Sequence, residues 1–402
     1  MKNLLLAGAA SAAMLLPVQA DAFYLDSELL KGGIGRDEQP LVTLDTVAGL
    51  NAGIGAIALR YHHRLGLDEG TPAQRAVYLG SAGLAAFAAQ RANAITIGHE
   101  GAHFHFAGLD GRTEHSFRAD DHSTIPWMKA WGRAFLAGHV GGAAASAGDR
   151  AGTTPEGTIR ANNAGLNWQA DYAERMHRRG FARQDLSVFS AIDYVLNANY
   201  WLSYSARDHS KDRAHGHGGD PQDFAEYLAE RHGIEGALDD MVKWSAISLI
   251  LSSANWQAAM SLKSYVEDGQ TGLFTGFFGG GLSWTVLNYG YDDSFSTAAM
   301  ASLRMKDGKG AWSAGFERSV IGESWSEFQL GAYREFSQVG IETMLTVGED
   351  GMLLELGGDY AITDKLSFVA SATLPVDGET RRGSRLAPVG DNVVRLGISY
   401  RF

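Results

Sequence analysis

The feature that most constrains the fold is a period-two pattern of apolar residues in the last third of the chain. From about residue 281, apolar residues occupy alternate positions in successive segments of roughly ten residues, as is typical of β-strands with one apolar face. One such face carries Phe295, Ala299 and Leu303, and another carries Phe328 and Leu330. Polar residues fill most of the positions between them, so the pattern predicts strands and not helices.

Turn signals such as "KDGKG", "IGES", "EDG" and "TDK" separate these segments, and we count eight strands. A tilted strand of about ten residues crosses a bilayer, and eight is the smallest usual number of strands in an outer-membrane barrel. The pattern therefore predicts an eight-stranded antiparallel transmembrane β-barrel over residues 271–402. A soluble β-sandwich is the alternative, because alternation alone does not separate the two folds.

The final strand adds a more specific indication. Val394, Leu396, Ile398 and Tyr400 alternate up to the terminal Phe402. This ending resembles the C-terminal signature of Gram-negative outer-membrane barrels. The resemblance implies a location in the cell outer membrane, contact with its lipid, and recognition by the barrel-assembly machinery during biogenesis.

The first twenty residues have the composition of a secretory signal peptide. Lys2 precedes an apolar run, and Val18-Gln19-Ala20 fits the small-x-small cleavage rule, so we expect Asp21 to begin the mature chain. An N-terminal anchor helix is the alternative. The chain has no cysteine, which suits a bacterial envelope protein, and its net charge of −12 argues against a nucleic-acid partner.

Residues 21–270 are predicted to form a helical domain, which makes the whole chain α+β. Several of its segments are rich in Gly and Ala, which allow close helix packing, but none is a clean membrane span. Thr71-Pro72 predicts a helix start, and Asn93 predicts the cap of a second helix that ends near Gly108.

That second helix contains "HEGAH", with His99 and His103 four residues apart. On a helix this spacing places both imidazoles on one face, with Glu100 beside them. The stretch resembles the His-Glu-x-x-His signature of the zincin metallopeptidases. The resemblance implies Zn²⁺ as the cofactor, His99 and His103 as its ligands and Glu100 as the general base.

A third zinc ligand is needed, and no histidine follows at the metzincin spacing. The stretch from Asn167 to Asp171 resembles the gluzincin ligand helix, but asparagine stands where that family has glutamate. A neutral amide is a poor zinc ligand, so we expect Glu174 or Asp171 to supply the carboxylate. Asn167 itself and His105 remain open as alternatives.

A polar segment over residues 206–221 carries three further histidines, His209, His215 and His217. Its composition fits either a metal-scavenging segment or an ordinary solvated loop, and the residues alone favour the loop.

The sequence thus predicts a gluzincin-like zinc metallopeptidase domain fused to an outer-membrane barrel, which hydrolyses polypeptides of the cell envelope. Because the helical domain precedes the first strand, and both ends of an even-stranded barrel normally face the periplasm, we expect the domain on the periplasmic side. The alternative is a non-catalytic barrel protein whose helical part is structural or binds metal. A lipid-modifying enzyme lacks support, since there is no G-x-S-x-G motif.

Overall fold

The structure is a computed structural model that describes most of the chain. The described residues are 20–23, 40–109, 114–118, 124–137, 144–147, 154–184, 186–207, 219–274, 281–363, 366–386 and 393–400. The expected signal peptide lies outside them except for Ala20, as do Phe402 and the three loop histidines His209, His215 and His217.

Helices make up most of the described chain between residues 40 and 268. The α-helices are α1 (Pro40–Arg64), α2 (Pro72–Tyr78), α3 (Leu84–Asn93), α4 (Glu100–Leu109), α5 (Trp127–Ala137), α6 (Pro155–Arg183), α7 (Ala191–Ala198), α8 (Tyr200–Ser205), α9 (Asp220–His232), α10 (Ala237–Leu251), α11 (Ser253–Asp268) and α12 (Arg381–Leu386). π-Helical turns at Leu79–Gly83 and Ala94–His99 join α2, α3 and α4. Among the described residues, no helix combines the length and the apolar character that a membrane crossing requires.

The strands form a large antiparallel sheet and a small one. They are β1 (Ala20–Phe23), β2 (Glu114–Arg118), β3 (Thr124–Ile125), β4 (Ala144–Ala147), β5 (Leu282–Gly290), β6 (Ser294–Arg304), β7 (Gly310–Gly322), β8 (Ser326–Phe336), β9 (Val339–Gly348), β10 (Gly351–Ala361), β11 (Leu366–Gly378) and β12 (Val393–Tyr400). The small sheet has the order β3-β2-β4, and the large one runs β1-β12-β11-β10-β9-β8-β7-β6-β5. The prediction of an α+β protein with a C-terminal antiparallel sheet is confirmed.

The large sheet is open. Each strand from β5 to β12 pairs with its neighbour in the chain, β1 pairs with β12, and the pairings of the described residues do not join β1 to β5. The sequence predicted a closed barrel, and this sheet has two edges instead. It also did not predict that residues 20–23 add a strand next to the C-terminal one.

The two faces of the sheet differ sharply in polarity. The outward face carries large apolar side chains that are between 38% and 63% exposed, among them Leu303, Trp312, Phe316, Phe328, Leu330, Phe336, Ile341, Leu356 and Phe368. The opposite face carries buried polar side chains, among them Glu317, Glu327, Gln329, Glu342 and Thr346. This distribution is the reverse of the one expected for a sheet that packs an apolar face on a core and turns a polar face to water.

The helix α6 covers the polar face of the sheet. Thr154 caps its start through the backbone N–H of Gly157, and Pro155 occupies its first turn, where a missing N–H costs nothing. Near its end, Arg178 and Arg179 both pair with Glu342, at 3.0 and 3.1 Å. The helix is buried along nearly its whole length because it lies between the sheet and the other helices.

Side chains of two helices form hydrogen bonds with backbone N–H and C=O groups on the unpaired edge of β5. The Asn167 amide donates to the carbonyl of Gly290 at 2.7 Å and accepts from its N–H at 2.8 Å, as a neighbouring strand would. On α11, the Ser253 hydroxyl accepts from the N–H of Trp284 at 2.8 Å and donates to its carbonyl. The helices therefore replace the missing strand at this edge, which removes an exposed row of backbone groups.

Replacing Asn167 by alanine should reduce the free energy of unfolding by about 1–3 kcal/mol, because it leaves a buried N–H and a buried C=O of Gly290 without partners. Urea unfolding followed by tryptophan fluorescence measures the change. The matched control is Glu230→Ala on α9, an exposed position, for which we expect a change within about 0.5 kcal/mol. Equal effects of the two substitutions would contradict the role assigned to Asn167.

Candidate metal centre

His99 and His103 are placed by a continuous helical segment. The sequence predicted that Asn93 caps a new helix, and this is wrong: Asn93 has helical backbone angles and makes no cap hydrogen bond. Its side chain donates to Asn51 and accepts from Trp131, so tertiary partners occupy the polar group that otherwise caps a helix. His99 ends the π-helical turn, a feature that is frequent at functional sites, and Glu100 begins α4.

The two imidazoles face each other as the i, i+4 spacing predicted. His99 Nε2 lies 3.0 Å from His103 Nε2. The other nitrogen of each ring contacts a fixed oxygen on α6: His99 Nδ1 lies 3.1 Å from Gln169 Oε1, and His103 Nδ1 lies 2.6 Å from the carbonyl oxygen of Ala161. Metal-binding histidines typically have such an oxygen partner at the nitrogen that does not bind the metal.

These contacts fix which nitrogen of each ring carries hydrogen. An amide or carbonyl oxygen can only accept, so the Nδ1 of both His99 and His103 must donate. In a neutral imidazole the remaining nitrogen then holds a lone pair. Two lone pairs would thus face each other across 3.0 Å, which is unfavourable unless a proton or a metal cation lies between them.

A carboxylate from a distant part of the chain completes the group. Asp220 begins α9, and its Oδ2 lies 3.5 Å from His103 Nε2 and 3.8 Å from His99 Nε2. Ligand atoms arranged in a tetrahedron around zinc at about 2.0–2.1 Å lie about 3.3 Å from one another. The three separations of 3.0, 3.5 and 3.8 Å bracket that value, so the set fits three corners of a zinc site.

Two glycines allow the helices that carry these groups to approach closely. A Cβ atom on Gly165 of α6 would lie 2.5 Å from His103 Nε2 and 2.7 Å from His99 Nδ1. A Cβ atom on Gly98 would collide with the ring of Trp168. The Gly and Ala content of this region therefore has a specific function: it brings α6 against the histidine pair.

Burial and charge set the protonation of the three groups. Burial and the neighbouring His103 lower the pKa of His99 to about 4. Burial also acts to lower the pKa of His103, but the Asp220 carboxylate outweighs it and raises this pKa to about 9. Without a metal, His103 is therefore the protonated imidazole at neutral pH and pairs with Asp220. A divalent cation would replace this proton.

Glu100 lies next to the group in a buried position, with about 8% of its surface exposed. Burial raises the pKa of its carboxyl to about 7, and the negative charge of Asp220 acts in the same direction. In the metal-free protein, a carboxyl with such a pKa can both accept and release a proton near neutral pH. Tyr200 packs against His99, with 5.6 Å between the ring centroids, and brings a phenol next to this group.

The carboxylates that the sequence proposed as the third ligand lie in a different environment. Glu174 accepts two hydrogen bonds from Arg382, at 2.8 and 3.0 Å, and Asp171 pairs with Arg385 at 3.4 Å. Among the described residues, the groups with metal-ligand spacing are His99, His103 and Asp220, and separately His62, His63 and Asp68 at the end of α1. Neither group includes Asp171 or Glu174.

The two remaining candidates for the third ligand, Asn167 and His105, also contact other parts of the protein. Asn167 bonds the backbone of Gly290, and His105 is buried on another side of α4 against Phe106. Sequence reasoning missed Asp220 because an aspartate before Pro221 at a helix start has the pattern of an ordinary cap. It also missed Gln169 and the Ala161 carbonyl. These groups contact the imidazole nitrogens that face away from the metal position, and no local sequence pattern identifies residues with that role.

Asp220→Asn should weaken zinc binding by on the order of 100-fold, because an amide oxygen replaces an anionic ligand. Glu174→Gln should change the zinc affinity by less than about threefold, since its carboxylate already pairs with Arg382. Competition with a chromophoric chelator measures both affinities. The opposite result, with zinc lost in Glu174→Gln and retained in Asp220→Asn, would restore the ligand first expected from the sequence.

No protein-family model, no curated protein and no solved structure matches this chain. Its function therefore has to be inferred from the chemistry of the His99, His103 and Asp220 group and from the surfaces around it.

Proposed function

We propose that the protein is a zinc-dependent peptidase of the outer membrane that hydrolyses peptide bonds of polypeptides. The observation that carries the proposal is the convergence of His99 Nε2, His103 Nε2 and Asp220 Oδ2 within 3.8 Å of one another, next to the buried Glu100. Two imidazoles and one carboxylate are the ligand set of many catalytic zinc sites, and they leave a fourth position for water or substrate.

The chain's own residues have defined roles in this reaction. Zinc, when bound, supplies Lewis acidity to water and to the carbonyl oxygen of the substrate. Glu100 takes the proton from the attacking water and returns it to the leaving amine. Gln169 and the Ala161 carbonyl hold the two imidazoles with Nε2 toward the metal position. The choice of a peptide bond as substrate comes from the resemblance of "HEGAH" to the zincin signature.

The exposed apolar face of the large sheet supports the membrane location. Its large side chains are exposed while the polar and acidic ones are buried, which is the arrangement that a lipid environment requires of strands. A shallow hollow of about 460 Å³ on this face is lined by Leu303, Trp312 and Leu330, among others, and suits an acyl chain. This face supports outer-membrane lipid as a partner, and the barrel-assembly machinery during biogenesis is part of the same proposal.

The second candidate is a non-catalytic outer-membrane protein with a structural helical part. The observation in its favour is the His103–Asp220 ion pair. When His103 carries a proton, its charge balances the Asp220 carboxylate, so the group needs no metal ion. Metal content and hydrolysis separate the two candidates.

The purified parent protein should contain about one zinc per chain by inductively coupled plasma mass spectrometry. His103→Ala should lose the metal, because it removes one of three ligands. Glu100→Gln should keep the metal but reduce peptide hydrolysis by at least about a hundredfold, because it removes only the base. A Glu100→Gln variant that cleaves as fast as the parent would exclude the peptidase mechanism, and a parent that purifies without metal would favour the structural alternative.

Leu330→Arg tests whether the outward face meets lipid. A charged side chain at mid-strand should cost about 2–4 kcal/mol of folding free energy in lipid vesicles, whereas an exposed position in water tolerates the change within about 0.5 kcal/mol. The matched control on the same face of this strand is Phe336→Arg, at the strand end, where we expect at most about 1 kcal/mol. Equal, small effects at both positions would argue that the face is solvated.

A further inference from the structure

A second group of metal-binding side chains lies where α1 leads into α2, separate from the candidate metal centre described above. The last turn of α1 contains His62 and His63, and Asp68 follows in the connection to α2. Gly66 reverses the chain with a φ of +65°, a conformation that glycine adopts without strain. Its N–H bonds the carbonyl of His63 at 3.0 Å. This turn returns Asp68 to the end of the helix.

The Asp68 carboxylate contacts both imidazoles. Its Oδ1 lies 3.2 Å from His62 Nε2, and its Oδ2 lies 2.7 Å from His63 Nδ1. One nitrogen of each ring and one carboxylate oxygen fall within 4.8 Å of one another. Ligand atoms around a tetrahedral zinc ion lie about 3.3 Å apart, so a cation fits here after a small outward shift of His63. The His63 side chain is 51% exposed, which leaves room for that shift.

A buried hydroxyl group holds the far nitrogen of His62. The His62 ring is fully buried, and its Nδ1 lies 2.9 Å from the hydroxyl oxygen of Tyr265 on α11. A histidine that binds a metal typically has such an oxygen partner at its other ring nitrogen. Tyr265 thereby keeps His62 Nε2 directed toward Asp68.

This hydroxyl group suits both the metal-free and the metal-bound state. Without a metal, His62 Nε2 donates to Asp68, because a carboxylate only accepts, and the Tyr265 hydroxyl donates to Nδ1. With a metal, Nε2 supplies its lone pair, Nδ1 carries the hydrogen, and the same hydroxyl oxygen accepts from it. His63 can make the equivalent change, since its half-exposed ring can bond water. Both states are therefore hydrogen-bonded, which makes uptake of the ion reversible.

Arg75 of α2 holds the connection that carries Asp68 against the end of α11. Its guanidinium donates to the carbonyls of Val266 and Glu267 in the last turn of α11, at 3.0 and 2.6 Å, and to the carbonyl of Asp68 at 3.4 Å. The same helix carries Tyr265. An ion held by the imidazoles and the carboxylate would therefore join α1, this connection and α11.

We propose that His62, His63 and Asp68 form a second, exchangeable site for a divalent transition-metal ion, and that the ion stabilises the junction of α1, α2 and α11. Two imidazoles and a carboxylate suit Zn²⁺, Ni²⁺ or Cu²⁺, whereas Mg²⁺ and Ca²⁺ prefer oxygen ligands alone. Because two of the three side chains are about half exposed, the ion exchanges with the medium and is lost on dialysis. The site is independent of the proposed peptidase reaction.

Hydrogen exchange followed by mass spectrometry tests this site locally. The full-length His103→Ala variant serves as the background, because it lacks one ligand of the other centre. Zn²⁺ at about ten times its dissociation constant should slow exchange in peptides that cover residues 61–70 about tenfold, since opening of the junction releases the ion. Mg²⁺ at the same concentration should have no effect.

Adding His63→Ala to this background should abolish the protection by Zn²⁺. His63 is chosen because its side chain is half exposed and its loss leaves the packing intact, whereas His62 is buried. The matched control is His232→Ala at the exposed end of α9, which should leave the protection unchanged within about twofold. Any zinc bound by the histidines of residues 206–221 is distinguished by the peptide that it protects.

Two results would overturn the site: protection that persists after His63→Ala, and no protection of residues 61–70 at up to about 1 mM Zn²⁺. Equal protection by Mg²⁺ would overturn it too, because it would show binding by the carboxylate without the imidazoles. None of these results bears on the peptidase proposal, which is read independently through Glu100→Gln.

Discussion

The structure depends on the pairing of buried charges between α6 and the inward face of the large sheet. That face is lined by carboxylates, which are costly to bury unless an opposite charge meets them. The arginines at the end of α6 meet Glu342 of β9, and Arg382 of α12 pairs with both Glu174 of α6 and Glu355 of β10. These ion pairs hold α6 in its observed register against the sheet. The position of its first turns, and hence of the candidate metal centre of His99, His103 and Asp220, follows from that register.

The sides of α6 have separate functions. One side, with Gly165 and Gln169, contacts the histidine pair. A second position, Asn167, completes the edge of β5. Two carboxylates, Asp171 and Glu174, pair with the arginines of α12. The stretch that resembles a gluzincin ligand helix therefore contributes to the centre through groups that hold the imidazoles. The departure at Asn167 has a physical reason, since an amide can both donate to and accept from a strand backbone and a carboxylate can only accept.

Local patterns in the sequence predicted what depends on near neighbours in the chain. Period-two alternation predicted the strands of the C-terminal sheet, and the His99 and His103 spacing predicted two imidazoles on one helical face. Thr71 caps α2 in a capping box with Gln74, as its position before proline indicated. The same kind of reasoning was wrong at Asn93, because its side chain finds partners in other helices that no local pattern reveals.

The sequence by itself determined the fold class, the alternating strand faces and the histidine pair, because each follows from the spacing of residues within one helix or one strand. Only the tertiary structure decided that the sheet stays open, that Asp220 joins the histidines, and that Asp171 and Glu174 pair with arginines. These features join segments far apart in the chain. Their geometry depends on which buried charges and backbone groups find partners, and a one-dimensional pattern does not contain that information.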